Sequence, residues 1–309
     1  MKPSLLVVLT GPTAVGKTAL SLQVARHFGT EILSADSRQL YREMRIGTAV
    51  PSPTELEQVK HHFIGNLSVH DYYNASRYEE EAIALLRELF RQHQVVVLCG
   101  GSMLYIDAVC YGIDDLPVVD AQIRNELTTL YETGGIEALR ISMKKLDPEY
   151  YATVDLRNPK RLLRALEICI MTGKPYSALR THTRKTRDFT ILRIGLNCDR
   201  SLLYDRINRR VDAMVEAGLE EEARSLHPWK SLNALNTVGY REWFDYFEGI
   251  TNRETTIEKI KSNTRLYARK QLTWFRKDSS MHWFDSADTG KVIPFIETQV
   301  LKTWGLPRQ

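Results

Sequence analysis

The residues from Gly11 to Thr18 read GPTAVGKT, a set of types able to hold a phosphate group. The octet fits G-x-x-x-x-G-K-[ST], with Gly11, Gly16, Lys17 and Thr18 at the fixed places and Pro12, Thr13, Ala14 and Val15 between them. Glycine at both ends lets successive backbone N–H groups curl around an anion. Lys17 adds a point charge and Thr18 a hydroxyl for a magnesium ion. Nothing in this chemistry demands a nucleotide, because a free pyrophosphate or a pyrophosphate ester fits the same cradle. Two more polar residues follow apolar runs: Asp36 in ILSADSRQLY and Ser102 in VVVLCGGSMLY. A P-loop ATPase often carries a carboxylate after a Val-rich strand, to position magnesium and water. Here that run ends in Cys99-Gly100-Gly101, which weakens an NTPase reading. Three roles are open to Asp36: magnesium ligand, general base, or helix N-cap without chemistry.

These residues need a scaffold that brings separate loops together, and the hydropathy pattern supplies one. Apolar runs at residues 5–9, 31–35 and 95–99 alternate with helix-like segments such as 78–93, where Ala82, Ile83, Leu86 and Phe90 recur at helical spacing. A later run, 190–196, precedes the amphipathic segment 201–217 and reads as a return to the same parallel sheet. From about Val118 to Asp188 the chain is helical and charged, without strand-like alternation. The predicted fold class is therefore α/β. A P-loop parallel-sheet core flanked by helices spans 1–117 and 189–309, interrupted by an inserted all-helical subdomain at 118–188. Ligands of open parallel sheets bind beyond the carboxyl ends of the strands, so the P-loop, Asp36 and Ser102 are expected on one edge.

A chain of 309 residues with 43% hydrophobic content can bury a large core. Its four cysteines, Cys99, Cys110, Cys169 and Cys198, show no C-x-x-C spacing and suit a reducing compartment. The opening apolar run is too short for a membrane span and leads straight into the P-loop rather than a cleavage site. The expectation is a cytoplasmic protein with no membrane partner. A net charge of +4 permits nucleic-acid binding without requiring it.

Basic residues cluster in three places. In RINRRVDAMVEAGLEEEA, Arg206 and Arg209 read as solvated, whereas Arg210 could point toward the strand edge and grip a pyrophosphate. In EKIKSNTRLYARKQLTWFRKD, Lys261, Arg265, Arg269 and Arg276 fall within an arc of roughly 80°, with Ile260, Tyr267 and Trp274 opposite. The reading is a basic rail on one side and a packed stripe on the other, or else an ordinary surface helix. DLRNPKRLLRALE supplies Arg157, Lys160, Arg161 and Arg164 inside the insertion, and two such rails make a nucleic-acid clamp plausible. His61-His62, as neighbours, are a poor metal pair. Tyr240, Trp243, Phe244, Tyr246 and Phe247 read as core packing rather than base stacking.

Taken in order, GPTAVGKT, SADSRQLYREMRIGTAVP, HHFI, GGSMLY, NPKRLLRALEI with TGKP, RRVDAMVEAGLEEEA, VGYRE and YARKQLTWFR closely resemble the bacterial tRNA dimethylallyltransferases from Leu5 to about Arg276. The resemblance implies transfer of a dimethylallyl group from dimethylallyl diphosphate to the exocyclic amine of the adenosine just 3′ of the anticodon, tRNA position 37. Diphosphate is the leaving group, so the loop would hold what is discarded. By match to the family pattern, Asp36 accepts the amine proton, while Lys17, Thr18, Ser102 and Arg210 hold the diphosphate with Mg²⁺ sharing its charge. Ser37, Arg38 and Gln39 would line the adenine and its neighbours. Arg124 and the stretch Lys160, Arg161, Leu162, Leu163 and Arg164 would contact the tRNA anticodon stem-loop. A flipped-out base in a buried channel is implied as well, and a monomer is expected. Two positions depart from the pattern: Ser102 stands where the family usually has Thr, and Val15 replaces a commoner small polar residue. Two other readings share the loop: an isopentenyltransferase acting on free adenine nucleotide, and a P-loop small-molecule kinase.

Overall fold

The computed structural model describes residues 4–304 except Asp115, Val118, Val119 and His182. Asp199 and Asn252 open the helices that carry the basic runs, each by accepting backbone N–H groups of the first turn. In chain order the first half comprises β1 (Leu5–Thr10), α1 (Lys17–His27), β2 (Ile32–Ala35), α2 (Pro53–Gln58), β3 (His61–His62), α3 (Ala75–Gln92), β4 (Val95–Gly100) and α4 (Met103–Tyr111). Four helices follow: α5 (Ala121–Leu146), α6 (Pro148–Thr153), α7 (Pro159–Thr172) and α8 (Tyr176–Leu179). The chain then runs through β5 (Thr190–Asn197), α9 (Arg200–Glu216), α10 (Leu219–Leu226), α11 (Arg241–Phe247), α12 (Arg253–Phe275), β6 (His282–Asp285) and α13 (Val292–Thr303).

The strands form one sheet in the order β3-β2-β4-β1-β5-β6, parallel throughout. All six residues of β1 are buried, as a strand covered by helices on both faces must be. The expected apolar runs all become strands. Two strands escape the sequence pattern, for a physical reason: β3 has only two residues, and the HWFD of β6 shows no apolar alternation because its end residues are exposed. Trp283 of β6 instead lays its ring over Gly195, where a Cβ would stand 2.7 Å from it.

The chain divides into two compact units, one of residues 1–111 with 186–309 and the other Gly112–Lys185. The expected boundary at Val118 lies outside the described residues. The second unit has its own core, in which Leu139, Met143, Leu162, Ala165 and Leu166 are fully buried. Its α7 is bounded by the Asn158 cap with Pro159 behind it and by Gly173 in the left-handed conformation. The first unit holds two apolar clusters. One surrounds β1, β4 and β5 against α1, α9 and α13, and the other packs Tyr41 and Met44 against α10, α11 and part of α12. Tyr240, Trp243 and Phe244 are buried in the latter, as their density implied. Among the described residues no helix is long and apolar enough to cross a membrane. All four cysteines are free thiols.

The basic rail expected on α12 needs correction. The stripe that packs is Thr256, Ile260, Ala268, Gln271 and Phe275, with Tyr267 and Trp274 left 37% and 40% exposed. Lys261 and Arg265 lie on the other flank of that stripe, where Lys261 pairs with Asp212 (2.8 Å) and Arg265 donates to Asn208 (2.6 Å), both on α9. Arg269 and Arg276 alone of the four remain exposed.

Because the second unit owns a separate core, Leu166→Ala should destabilise it by about 2–5 kcal/mol. Hydrogen exchange should then show faster exchange for amides of α5 and α7, while those of β1 and β4 stay protected.

Candidate active site

The phosphate-type loop begins where β1 meets β5. Gly11 has φ +143°, and a Cβ there would come within 2.4 Å of the Leu196 carbonyl oxygen, so only glycine fits. Ala14 (φ 64°) and Gly16 (φ 106°) complete the curl into α1, whose N-terminus has no side-chain cap and keeps its first N–H groups for a ligand. The Lys17 ammonium folds back across the loop, donating to the carbonyls of Gly11 (3.0 Å) and Pro12 (2.7 Å). Burial lowers its pKa to about 8; Cys99 opposes the shift, Arg210 adds to it, and Asp36 opposes it. Thr18 is exposed at the loop's exit.

Three side chains from later in the chain close on this loop. Arg210 of α9 donates to the Thr13 hydroxyl (3.2 Å), and burial holds its guanidinium below the usual range with Asp36 acting the other way. Arg206, one turn earlier, donates to the Val15 carbonyl (3.3 Å) and to Ser286 Oγ (3.0 Å). The expectation that Arg206 is merely solvated is therefore corrected: residues four apart on a helix share a face, and Arg210 already faced the loop. Gln271, buried on α12, accepts from Thr13 N (2.9 Å) and donates to the Gly101 carbonyl (2.9 Å). No periodic or motif signal in the sequence marks it for this role.

The carboxyl ends of β2 and β4 are equally close. A Cβ at Gly100 would stand 2.2 Å from the Ala35 carbonyl oxygen, and Ser102 N donates to that same oxygen (3.1 Å). Asp36 follows directly, and its Oδ1 accepts from Arg38 N (2.9 Å) and Gln39 N (3.4 Å), so the carboxylate caps a turn rather than a helix. Its second oxygen makes no hydrogen bond with a described residue. Ser102 is buried, accepts from Ser37 N (2.8 Å) and donates to Ser37 Oγ (3.1 Å). Its hydroxyl thus ties the two strand ends together. The Gln39 amide donates to the carbonyls of Thr48 (3.1 Å) and Ala49 (3.0 Å) and accepts from Ser34 (3.2 Å), so it braces the next turn.

That turn is held from outside. Glu222 of α10 accepts from the backbone N–H groups of Arg45 (2.9 Å), Ile46 (2.8 Å) and Gly47 (3.0 Å) and from the Tyr240 hydroxyl (2.7 Å). No sequence signal beyond LEEEA marked Glu222. The result is a pocket of about 420 Å³ that brings Lys17, Thr18, Asp36, Arg206 and Arg210 to one surface. It sets one carboxylate against several cations, which suits an anionic ligand beside a proton acceptor. Among the described residues no three His, Cys, Asp or Glu side chains cluster as a metal cage. His62 instead pairs with Glu31 (2.5 Å) and His61 with its neighbouring Val59 carbonyl (2.8 Å).

In the second unit, Lys160 and Arg161 are exposed at the start of α7. Leu162 is fully buried in that unit's core, so the RNA contact expected of it is not one its side chain can make; Leu163 packs on the same core. Arg124 forms a two-pronged pair with buried Glu167 (2.7 and 3.0 Å), and Arg164 donates to the Pro117 carbonyl (3.2 Å).

Residues 39–278 match the family model described as IPP transferase. The chain is 53% identical over 300 residues to tRNA dimethylallyltransferase 1 of Bacteroides fragilis, covering 97% of this chain and all of that one. It is also similar to the crystal structure of the full-length tRNA isopentenylpyrophosphate transferase of Bacillus halodurans, with 34% identity, 98% of each chain covered and a TM-score of 0.72. A eukaryotic dimethylallyltransferase acting on tRNA shares the fold over 96% of this chain and 78% of that one, at a TM-score of 0.76 and 24% identity. A P-loop without a following carboxylate, an aspartate after β2 and these matches over nearly the whole length agree: the chain belongs to the IPP transferase family.

Proposed function

We propose that this protein transfers a dimethylallyl group from dimethylallyl diphosphate to the exocyclic amine of adenosine 37 in tRNA, releasing diphosphate. The observation that carries the reading is the placement of Asp36 in the same pocket as the P-loop, while β4 ends in Gly100 and the turn after it holds Gly101 and Ser102 in place of a carboxylate. The loop suits an anion, and β4 beside β1 ends without the carboxylate that often positions metal and water at a γ-phosphate in P-loop ATPases.

The chemistry follows from that arrangement. The amine nitrogen attacks the allylic carbon, the carbon–nitrogen bond forms as the carbon–oxygen bond breaks, and the electron pair leaves with the diphosphate. Asp36 takes the amine proton on the carboxylate oxygen not engaged by Arg38 and Gln39. Lys17, Arg210, Arg206 and the loop N–H groups stabilise charge as it builds on the leaving group. Asp36 shares the pocket with Arg210, while Ser102 and Gln39 act by fixing the turns on either side of it. Lys160 and Arg161 offer phosphate contacts that position the RNA without reading its sequence. The oxygen donors beside the loop fit Mg²⁺, which usually takes one or two protein oxygens together with phosphate and water. Thr18 would supply the hydroxyl, and the ion would neutralise charge on the diphosphate when bound.

Mass spectrometry of nucleosides from unmodified tRNA, incubated with the protein, Mg²⁺ and dimethylallyl diphosphate, should show dimethylallyl-adenosine, and an AMP control should show none. Product from AMP would assign the protein to enzymes of free nucleotides. Asp36→Ala should retain tRNA binding and lose product formation by roughly 10²–10⁴-fold; unchanged turnover would remove Asp36 as the base. The Lys17 charge is present below its pKa and lost above it. A pH profile of kcat/KM for the diphosphate donor, which reports free-enzyme ionisations, should therefore be level near pH 7 and fall as pH rises through about 8.

A further inference from the structure

Tyr267 and Trp274 lie seven residues apart on α12, two turns along one side of the helix, and both are only partly covered. A partly covered ring is still held in place when a polar group of the protein takes its O–H or N–H. Here the tips are bound by the protein: the Tyr267 hydroxyl donates to the Gly101 carbonyl (3.4 Å), and Trp274 Nε1 donates to Asp107 Oδ2 (2.7 Å) on α4. The two residues stay 37% and 40% exposed, with Leu104 of α4, 54% exposed, on the turn before Asp107.

The support beneath Trp274 is costly. Arg193 on β5 is 3% exposed, and its buried guanidinium is offset by charged and polar partners at both Nη atoms, with Nε unbonded among the described residues. Its partners are Asp278 (2.5 Å), the Tyr111 hydroxyl (2.8 Å) and Asp107 (3.4 Å), the carboxylate that holds Trp274. This cluster takes no part in the chemistry of the pocket, yet it fixes the indole edge. Lys277, just past the end of α12, stands 5.9 Å from the Trp274 ring centroid, and Lys270 is exposed one turn before Trp274 on the helix. Tyr267 itself lines the active-site pocket, so this face continues from where the target base must enter.

The structure assigns this face of α12 as a base-stacking platform for single-stranded nucleotides of the anticodon loop that flank the modified adenosine, with Trp274 as the outer plane and Lys277 beside the phosphate. The assignment rests on the RNA substrate proposed above and adds a subsite to it. Aromatic planes interleaved with lysines are the chemistry that holds unpaired bases without strict sequence preference.

Fluorescence anisotropy with a labelled anticodon stem-loop RNA tests it. Trp274→Leu keeps apolar bulk without a stacking plane and should raise the Kd about tenfold. The slope of log Kd against log salt should not change, because stacking releases no counterions. Trp274→Phe should recover most of the affinity, and Lys277→Ala should instead reduce the salt slope by about one. The affinity of Trp274→Leu for inorganic pyrophosphate, measured by calorimetry, should match that of the unaltered protein. Unchanged RNA binding by Trp274→Leu would overturn the platform. A loss shared by pyrophosphate and not recovered by Phe would overturn it too, since that is the mark of a distorted fold. Failure of the unaltered protein to form dimethylallyl-adenosine, with RNA affinity still dependent on Trp274, would remove the proposed reaction and leave the platform standing.

Discussion

Backbone meets backbone at the carboxyl edge of the sheet, and the pocket exists only because no side chain intervenes. Gly11 lies against Leu196 and Gly100 against Ala35 at separations where a Cβ would overlap a carbonyl oxygen. These contacts draw the loops after β1, β2 and β4 together, so that Lys17 and Asp36 share one cavity although they come from separate strand ends. A single methyl at Gly100 would have to displace the strand end itself, because the atom it meets is main chain. Ser102 completes the edge by bridging to Ser37, which makes its hydroxyl a structural tie between the two turns.

The edge also decides the electrostatics. Several cations and one carboxylate are held in a partly buried space, and each cation is partnered by carbonyl or hydroxyl oxygens of the loop rather than by a neutralising acid. Such partners satisfy the donors without cancelling the charge, so the loop keeps a net positive field for an incoming anion. The same desolvation lowers the pKa of Lys17, which links the loop's positive field to its cost in the free protein.

Much of this could be read from the residues, for reasons that differ from place to place. The P-loop was legible because its geometry demands particular residue types at fixed spacing. The four longer apolar strands were legible because a strand covered on both faces must be continuously apolar. Asp36 could be located by its place after an apolar run, but its residue type alone left three roles open. The resemblance implied the proton acceptor, and the fold adds that it lines the same pocket as the P-loop. The α12 rail was misread because angular position alone does not say which flank a neighbouring helix will cover. Lys261 and Arg265 were taken for exposed cations and are engaged by α9, while Tyr267 and Trp274 were taken for core. Gln271, Glu222 and Arg206 stayed hidden because each acts on backbone groups of a distant loop, a contact that leaves no periodic signature in the chain.

Those three residues explain how two separate apolar clusters make one pocket. The P-loop is backed by the cluster around β1, whereas the turn at 45–49 is backed by the cluster of Tyr41, Met44 and Trp243. Two helices pass through both: α9 buries Ile207 in the first and Val211 in the second, and α12 buries Ala268 in the first and Ile260 in the second. Arg206, Arg210 and Gln271 therefore reach the loop from helices whose far ends are fixed in the other cluster. Glu222 acts from the opposite direction, reaching from the second cluster to the turn that Gln39 ties to Asp36. Moving either cluster would shift the cations and the carboxylate relative to each other. The spacing between the P-loop cations and Asp36 is thus set by helix packing well away from both.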